Sequence, residues 1–148
     1  MNHKLSISAG ILAIVVIVIY KFNVYKPSVE KRFQTKSNNT ILDHETKLLW
    51  QRNNIGKMNW YRAKQICKKK FGSSWRLPTI YELMSITSQQ KINPALETDK
   101  IITKQYDDYW SSTPFHDNKF IWSINLINGI EIWDDKSENH SVLCVKDY

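Results

Sequence analysis

Residues 73–86 read SSWRLPTIYELMSI. Thr79 and Glu82 form the T-x-x-E pattern of a capping box. The threonine hydroxyl accepts from the N3 amide, and the glutamate carboxylate reaches back to the N-cap amide. Pro78 cannot extend a helix backwards and favours an extended Leu77. A helix therefore starts here and carries Leu83, Met84 and Ile86. Trp75 and Arg76 just ahead of it admit two readings, a binding site or an internal fastener.

Working outward, Asn59 is an N-cap for a second helix, WYRAKQICKKKF, residues 60–71. Trp60, Ala63, Ile66, Cys67 and Phe71 make its apolar stripe. Arg62, Lys64, Lys68, Lys69 and Lys70 cover the rest and are the candidate site for an anionic ligand. The bland reading of Lys68 to Lys70 is that cations are favoured near a helix C-terminus. Further upstream, TILD, HETK and LLWQR read as a short hairpin with a polar turn. Downstream, residues 88–108 are polar around Pro94 and read as a long surface loop. From Tyr109 the text turns β: YWSSTPF, FIWSINLINGIEIW and VLCVK. Asn128-Gly129 between apolar runs signals a two-residue hairpin, with Ile130 facing Ile127 and Trp133 facing Ile124. Most of the six tryptophans, Trp50, Trp60, Trp75, Trp110, Trp122 and Trp133, are expected in the core.

The N-terminal third is different in kind. Leu5 to Val24 is almost wholly apolar, and about 20 residues of helix match the hydrocarbon thickness of a bilayer. No small-residue cleavage pattern follows Tyr20, so residues 1–25 are expected to be a retained membrane anchor rather than a removed signal peptide. Tyr20, Phe22 and Tyr25 serve as its interfacial aromatics. Residues 26–39 read as a basic linker and residues 40–148 as the globular domain.

The 148-residue chain has a net charge of +7, which divides unevenly. Residues 1–36 hold six bases and one acid, +5. The remainder is only +2, and it is polarised: nine bases and two acids in 37–80, six bases and eleven acids in 81–148. The high pI thus belongs mainly to the anchor and its flank, and nucleic acid is not an expected partner. Lys21, Lys26, Lys31, Arg32 and Lys36 follow the apolar segment while Lys4 alone precedes it. By that count the domain faces the cytoplasm.

Cys67 lies on a helix and Cys144 among Val142, Leu143 and Val145. Each reads as a small buried hydrophobe or as half of a disulfide. No C-x-x-C spacing suggests zinc.

The blocks ILDHETKLLWQR, NWYRAKQIC, SSWRLPTIYELMSI, YWSSTPF, IWSINLINGIEIW and VLCVK, in this order over about residues 40–146, resemble the Lcl C-terminal domain family of bacterial envelope proteins. The resemblance implies an α+β, C-type-lectin-like domain. Two helices pack on a small, mostly antiparallel sheet, and the N- and C-terminal strands come together. It implies a disulfide between Cys67 and Cys144, and export, so the domain is expected in the periplasm on a single-pass inner-membrane anchor, against the charge count. It recasts Trp75, Arg76, Pro78, Thr79, Glu82 and Trp110 as framework, with Trp75 buried and Arg76 hydrogen-bonded to backbone or a carboxylate. It also implies a non-catalytic binding role toward an anionic glycan or another surface ligand. The alternative is a structural subunit of an envelope complex that docks a protein partner.

Catalysis and cofactors are not expected. His44, His116 and His140 are scattered, and Ser111 and Ser112 lack a G-x-S-x-G setting. Trp133-Asp134-Asp135, nine residues before Cys144, loosely echoes a calcium-lectin motif. Only His116 to Lys119 separate the two β runs, with no companion loop, so Asp134 and Asp135 are weak metal candidates and read as a charged turn.

Overall fold

The computed structural model describes residues 28–36, 39–101 and 107–148. The segment read as a membrane anchor lies outside these residues, and no described helix is long and apolar enough to cross a membrane. In chain order the elements are α1 (Val29–Arg32), β1 (Phe33–Lys36), β2 (Thr40–Asp43), β3 (Leu48–Gln51), β4 (Lys57–Met58), α2 (Trp60–Phe71), α3 (Ile80–Ser85), β5 (Asp108–Phe115), β6 (Phe120–Asn125), β7 (Ile130–Asp135), β8 (His140–Ser141) and β9 (Val145–Asp147).

The architecture is α+β, with two sheets rather than one. The first has the order β1-β2-β3-β9 and is antiparallel throughout. The last strand lies beside β3, so the two ends of the domain do meet. The second has the order β4-β8-β5-β6-β7, antiparallel except where Tyr109 meets Ser141 in parallel. Period-two alternation gives the first sheet two apolar faces. Phe33, Ile41, Leu48, Trp50 and Val145 pack with Ile80, Leu83, Ile86, Tyr109 and Ile124. Leu42, Leu49 and Cys144 pack with Trp60, Ala63, Cys67, Trp75 and Trp110.

Both helix starts match the sequence reading. The Asn59 side chain accepts from the Arg62 amide, and Thr79 with Glu82 closes the capping box at 3.2 and 2.7 Å. Three expectations need correction. Residues 28–36 are not a free linker: they form α1 and β1, and Phe33 is 0% exposed. Arg32 explains the docking of this polar stretch. Its guanidinium grips the buried Asp43 carboxylate at 2.9 and 2.8 Å and donates to the Ser85 carbonyl at 2.7 Å. The loop after α3 is not on the surface throughout, since Ala95, Leu96, Thr98 and Ile101 are buried. The last hairpin has a four-residue loop, with Asn125 opposite Ile130 and Trp122 opposite Trp133. Its cause is Leu126, which is fully buried and whose carbonyl accepts from the Ala95 amide. The even shift in register leaves every side chain on its expected face.

Cys67 and Cys144 form a disulfide with Cα atoms 5.6 Å apart, tying α2 to the start of β9. It closes a loop of 77 residues in sequence separation. In the chain-entropy account such a loop stabilises the fold by roughly 4 kcal/mol. The double variant Cys67→Ala/Cys144→Ala should lose about that much in urea unfolding; a loss under about 1 kcal/mol would contradict it.

Two carboxylates set the response to acid. Burial pushes Asp43 and Glu82 upward, but the hydrogen bonds from Arg32 and Arg76 outweigh it, and both end below the ordinary range. Groups with depressed native values stabilise the fold above their unfolded values and lose that contribution as pH falls. Stability should therefore drop below about pH 5. Glu82→Gln should flatten part of that slope in thermal melts from pH 6 to pH 3, and an unchanged slope would exclude Glu82 as a contributor.

Candidate functional site

The five candidate basic residues are spread along the length of α2. Arg62, Lys64, Lys68, Lys69 and Lys70 are all exposed along the helix. Lys64 turns back over the Trp60 ring at 5.0 Å, and the Lys68 carbonyl accepts from the Gly72 amide that ends the helix. Of the five, Lys70 alone reaches the main concavity of the described surface.

That concavity is a cleft of roughly 740 Å³ between the C-terminal turn of α2, Trp75 and one face of the first sheet. Three lysines from three elements converge on it: Lys36 from β1, Lys70 from α2 and Lys146 from β9. Each sits over an aromatic ring. Lys36 is 5.7 Å from the Tyr148 centroid, Lys70 is 5.6 Å from Phe71, and Lys146 is 5.5 Å from Trp75. Thr40 and Gln51 add a hydroxyl and an amide, and no Asp or Glu side chain is among its lining residues. The alternation of β9 explains the placement: Val145 points into the core and Lys146 away from it. Such a surface presents cations already held against rings, a chemistry suited to sulfate or carboxylate groups on a flat backbone.

Sequence reasoning had placed Lys36 in a linker, and had given Lys146 and Tyr148 no role. The alternation V-K-D at the end of the last strand was the available signal for Lys146. Nothing local signals that Lys36 shares a cleft with it, because the pairing of β1 depends on Arg32 meeting Asp43.

The residues read as framework have internal partners. Trp75 is 7% exposed, with its ring forming part of the cleft wall. Arg76 forms a fork on Glu82, 2.8 Å at each nitrogen, and reaches Asp147 at 3.1 Å. These bonds outweigh burial and raise its pKa. Pro78 is buried, and its carbonyl accepts from the Ser112 amide at 2.7 Å. Trp110 is fully buried and donates from Nε1 to the Met58 carbonyl at 2.8 Å.

Several residues considered for chemistry have other partners. Ser111 Oγ donates to the Trp122 carbonyl, and His44 Nε2 lies 3.1 Å from Gln34 Oε1. His140 packs on Trp110 at 4.2 Å, with Nε2 3.1 Å from Asp134 Oδ2. Asp134 also accepts from Ser123 Oγ, while Asp135 accepts from the amide and hydroxyl of Ser137. Both aspartates thus end β7 with internal partners. Among the described residues no three side chains converge as metal ligands.

Residues 39–146 match the Lcl C-terminal domain. No curated protein matches the chain. Among solved structures, botrocetin is similar at 13% identity over 78% of this chain and 96% of its own, with a TM-score of 0.37. With the family profile spanning every element from β2 to the middle of β9, the chain belongs to the Lcl C-terminal domain family.

Proposed function

We propose that this chain is a membrane-anchored, non-catalytic binding domain that holds an anionic glycan in the cleft of Lys36, Lys70 and Lys146. The observation that carries the reading is the convergence of three lysines, each over an aromatic ring, on a cleft lined by no Asp or Glu side chain. Aromatic faces support sugar rings, and lysines supply point charges for sulfate or carboxylate. Anchoring rests on the apolar run from Leu5 to Val24. The periplasmic side is supported by the disulfide, which persists in oxidising compartments. Arg32 and Lys36, which count toward the opposite orientation, have uses inside the fold that give another reason for their presence.

Retention on immobilised heparin tests the cleft. The full chain should bind and elute with salt, since exposed ion contacts are screened. Lys36→Ala/Lys70→Ala/Lys146→Ala should weaken binding roughly tenfold to a hundredfold, from three contacts of about 0.5–1 kcal/mol each. Arg62→Ala/Lys64→Ala/Lys68→Ala should bind nearly as well as the parent chain. Equal losses from both triple variants would sink the cleft in favour of diffuse charge.

Compartment is tested by alkylation in intact cells. Cys67 and Cys144 should react with a thiol reagent only after reductant is added, with an accompanying gel shift. Free alkylation without reductant would contradict export.

A further inference from the structure

The second sheet carries a surface that glycan binding in the cleft does not use. β7 is its outermost strand and pairs with β6 alone. An edge strand leaves backbone donors and acceptors open to another chain, and proteins normally guard such edges. Here three of the six residues are acidic, yet alongside them the edge bears exposed apolar side chains: Ile130 is 54% and Trp133 49% exposed.

Trp133 is held in place. Its ring stacks flat on Phe115 with centroids 5.2 Å apart at 7°, and Phe120 meets it edge-on at 5.0 Å. Phe115 in turn meets Trp122 edge-on at 4.9 Å. A ring fixed before binding loses little freedom when a partner arrives. Beside this stack is a cavity of roughly 300 Å³ lined by Tyr81, Met84, Trp122 and Glu131. Tyr81 is 76% exposed. Exposed aromatic and methionine side chains around a small pocket are the composition of a protein-binding hot spot.

Charge identifies the occupant. Glu131 lies on the same face as Trp133, two residues away, and its carboxylate has no ion pair or hydrogen bond among the described residues. The other acids of β7 are engaged, Asp134 by His140 and Ser123 and Asp135 by Ser137. A second copy of this chain fits poorly, because antiparallel pairing of two β7 strands in full overlap sets Glu131 against Asp134. Like charges directly opposite are destabilising.

We infer that β7 is a docking edge for an extended segment of a partner protein, added as an antiparallel strand. The segment carries an apolar residue beside Trp133 and, two positions later, a Lys or Arg beside Glu131. Main-chain hydrogen bonds along the edge give affinity, and the alternate side chains give the choice of partner.

The probe is a fluorescein-labelled peptide Thr-Lys-Thr-Ile-Thr-Lys-Thr, titrated with the full chain in detergent and read by anisotropy. Its companion is Thr-Glu-Thr-Ile-Thr-Glu-Thr. The basic peptide should bind at least about tenfold more tightly than the acidic one. Glu131→Lys, at an exposed position, should reverse that preference, and Trp133→Ala should weaken the basic peptide about tenfold while heparin retention stays unchanged. N-methylation of alternate amides in the basic peptide should abolish binding. No binding up to millimolar peptide, a preference indifferent to Glu131→Lys, or full binding of the N-methylated peptide would each overturn strand addition. Loss of Trp133 emission on adding a neutral oligosaccharide, without peptide binding, would assign the ring to sugar stacking and overturn it as well.

Discussion

The guanidinium of Arg76 holds three parts of the chain at once. It forks onto Glu82 in the first turn of α3 and reaches Asp147 in β9, while its backbone pairs with Val145 in both directions. One residue before that pairing, Cys144 is bonded to Cys67 on α2. Both helices and the final strand are therefore fixed to one another within a few residues. A fork on a carboxylate is directional as well as strong, so it sets the orientation of α3 and not only its position. Everything that depends on the position of β9 follows. Lys146 and Tyr148 meet Lys36 across the first sheet only because the last strand is held against β3.

A second junction joins the second sheet to the start of α3. The register of β5 with β6 shifts between Trp110 and Pro114. In that interval the Ser112 amide donates to the Pro78 carbonyl and Thr113 Oγ1 accepts from the Ile80 amide. The irregular strand thus satisfies backbone groups at the start of α3 that a regular ladder would leave facing it. The blocks WRLPT and YWSST, far apart in sequence, are two halves of one contact. This explains why an aromatic, a cation and a proline stand in a row at 75–78: they serve as an internal fastener, and the ring of Trp75 meets solvent only at the cleft wall.

What was legible in the sequence was local. The capping box, the Asn59 cap and the apolar stripe of α2 each depend on residues within one or two turns of each other, and each is present as read. The disulfide came from the family resemblance; nothing in the spacing of two cysteines 77 residues apart selects it. What was not legible rests on single distant contacts. Phe33 is one apolar residue in a polar stretch, and only Asp43 and the Ser85 carbonyl, met by Arg32, show why that stretch folds onto the sheet. Asn128-Gly129 signals a tight turn correctly, but buried Leu126 lengthens it by drawing the loop toward Ala95. The basic helix looked like the site because five cations lie close in sequence. Closeness in sequence along a helix spreads side chains around it, whereas a cleft gathers them from separate elements.

The uneven charge of the two halves of the domain then has a structural meaning. The basic half supplies α2 and the two central strands of the first sheet, and the acidic half supplies β5 to β9. If the two halves simply neutralised one another, their charges would be paired across the interface. Some are, as in Arg76 with Glu82 and Lys57 with Asp107, but these engage only two bases of the basic half among the ion pairs of the described residues. Lys36, Lys70 and Lys146 gather at the cleft, one of them from the basic half, and Glu131 stands at the β7 edge. Screening over about 8–10 Å at physiological salt lets such surfaces act separately on partners of opposite sign. On the proposed reading, an anionic chain on the first sheet and a basic strand on the second would therefore not compete for the same charges.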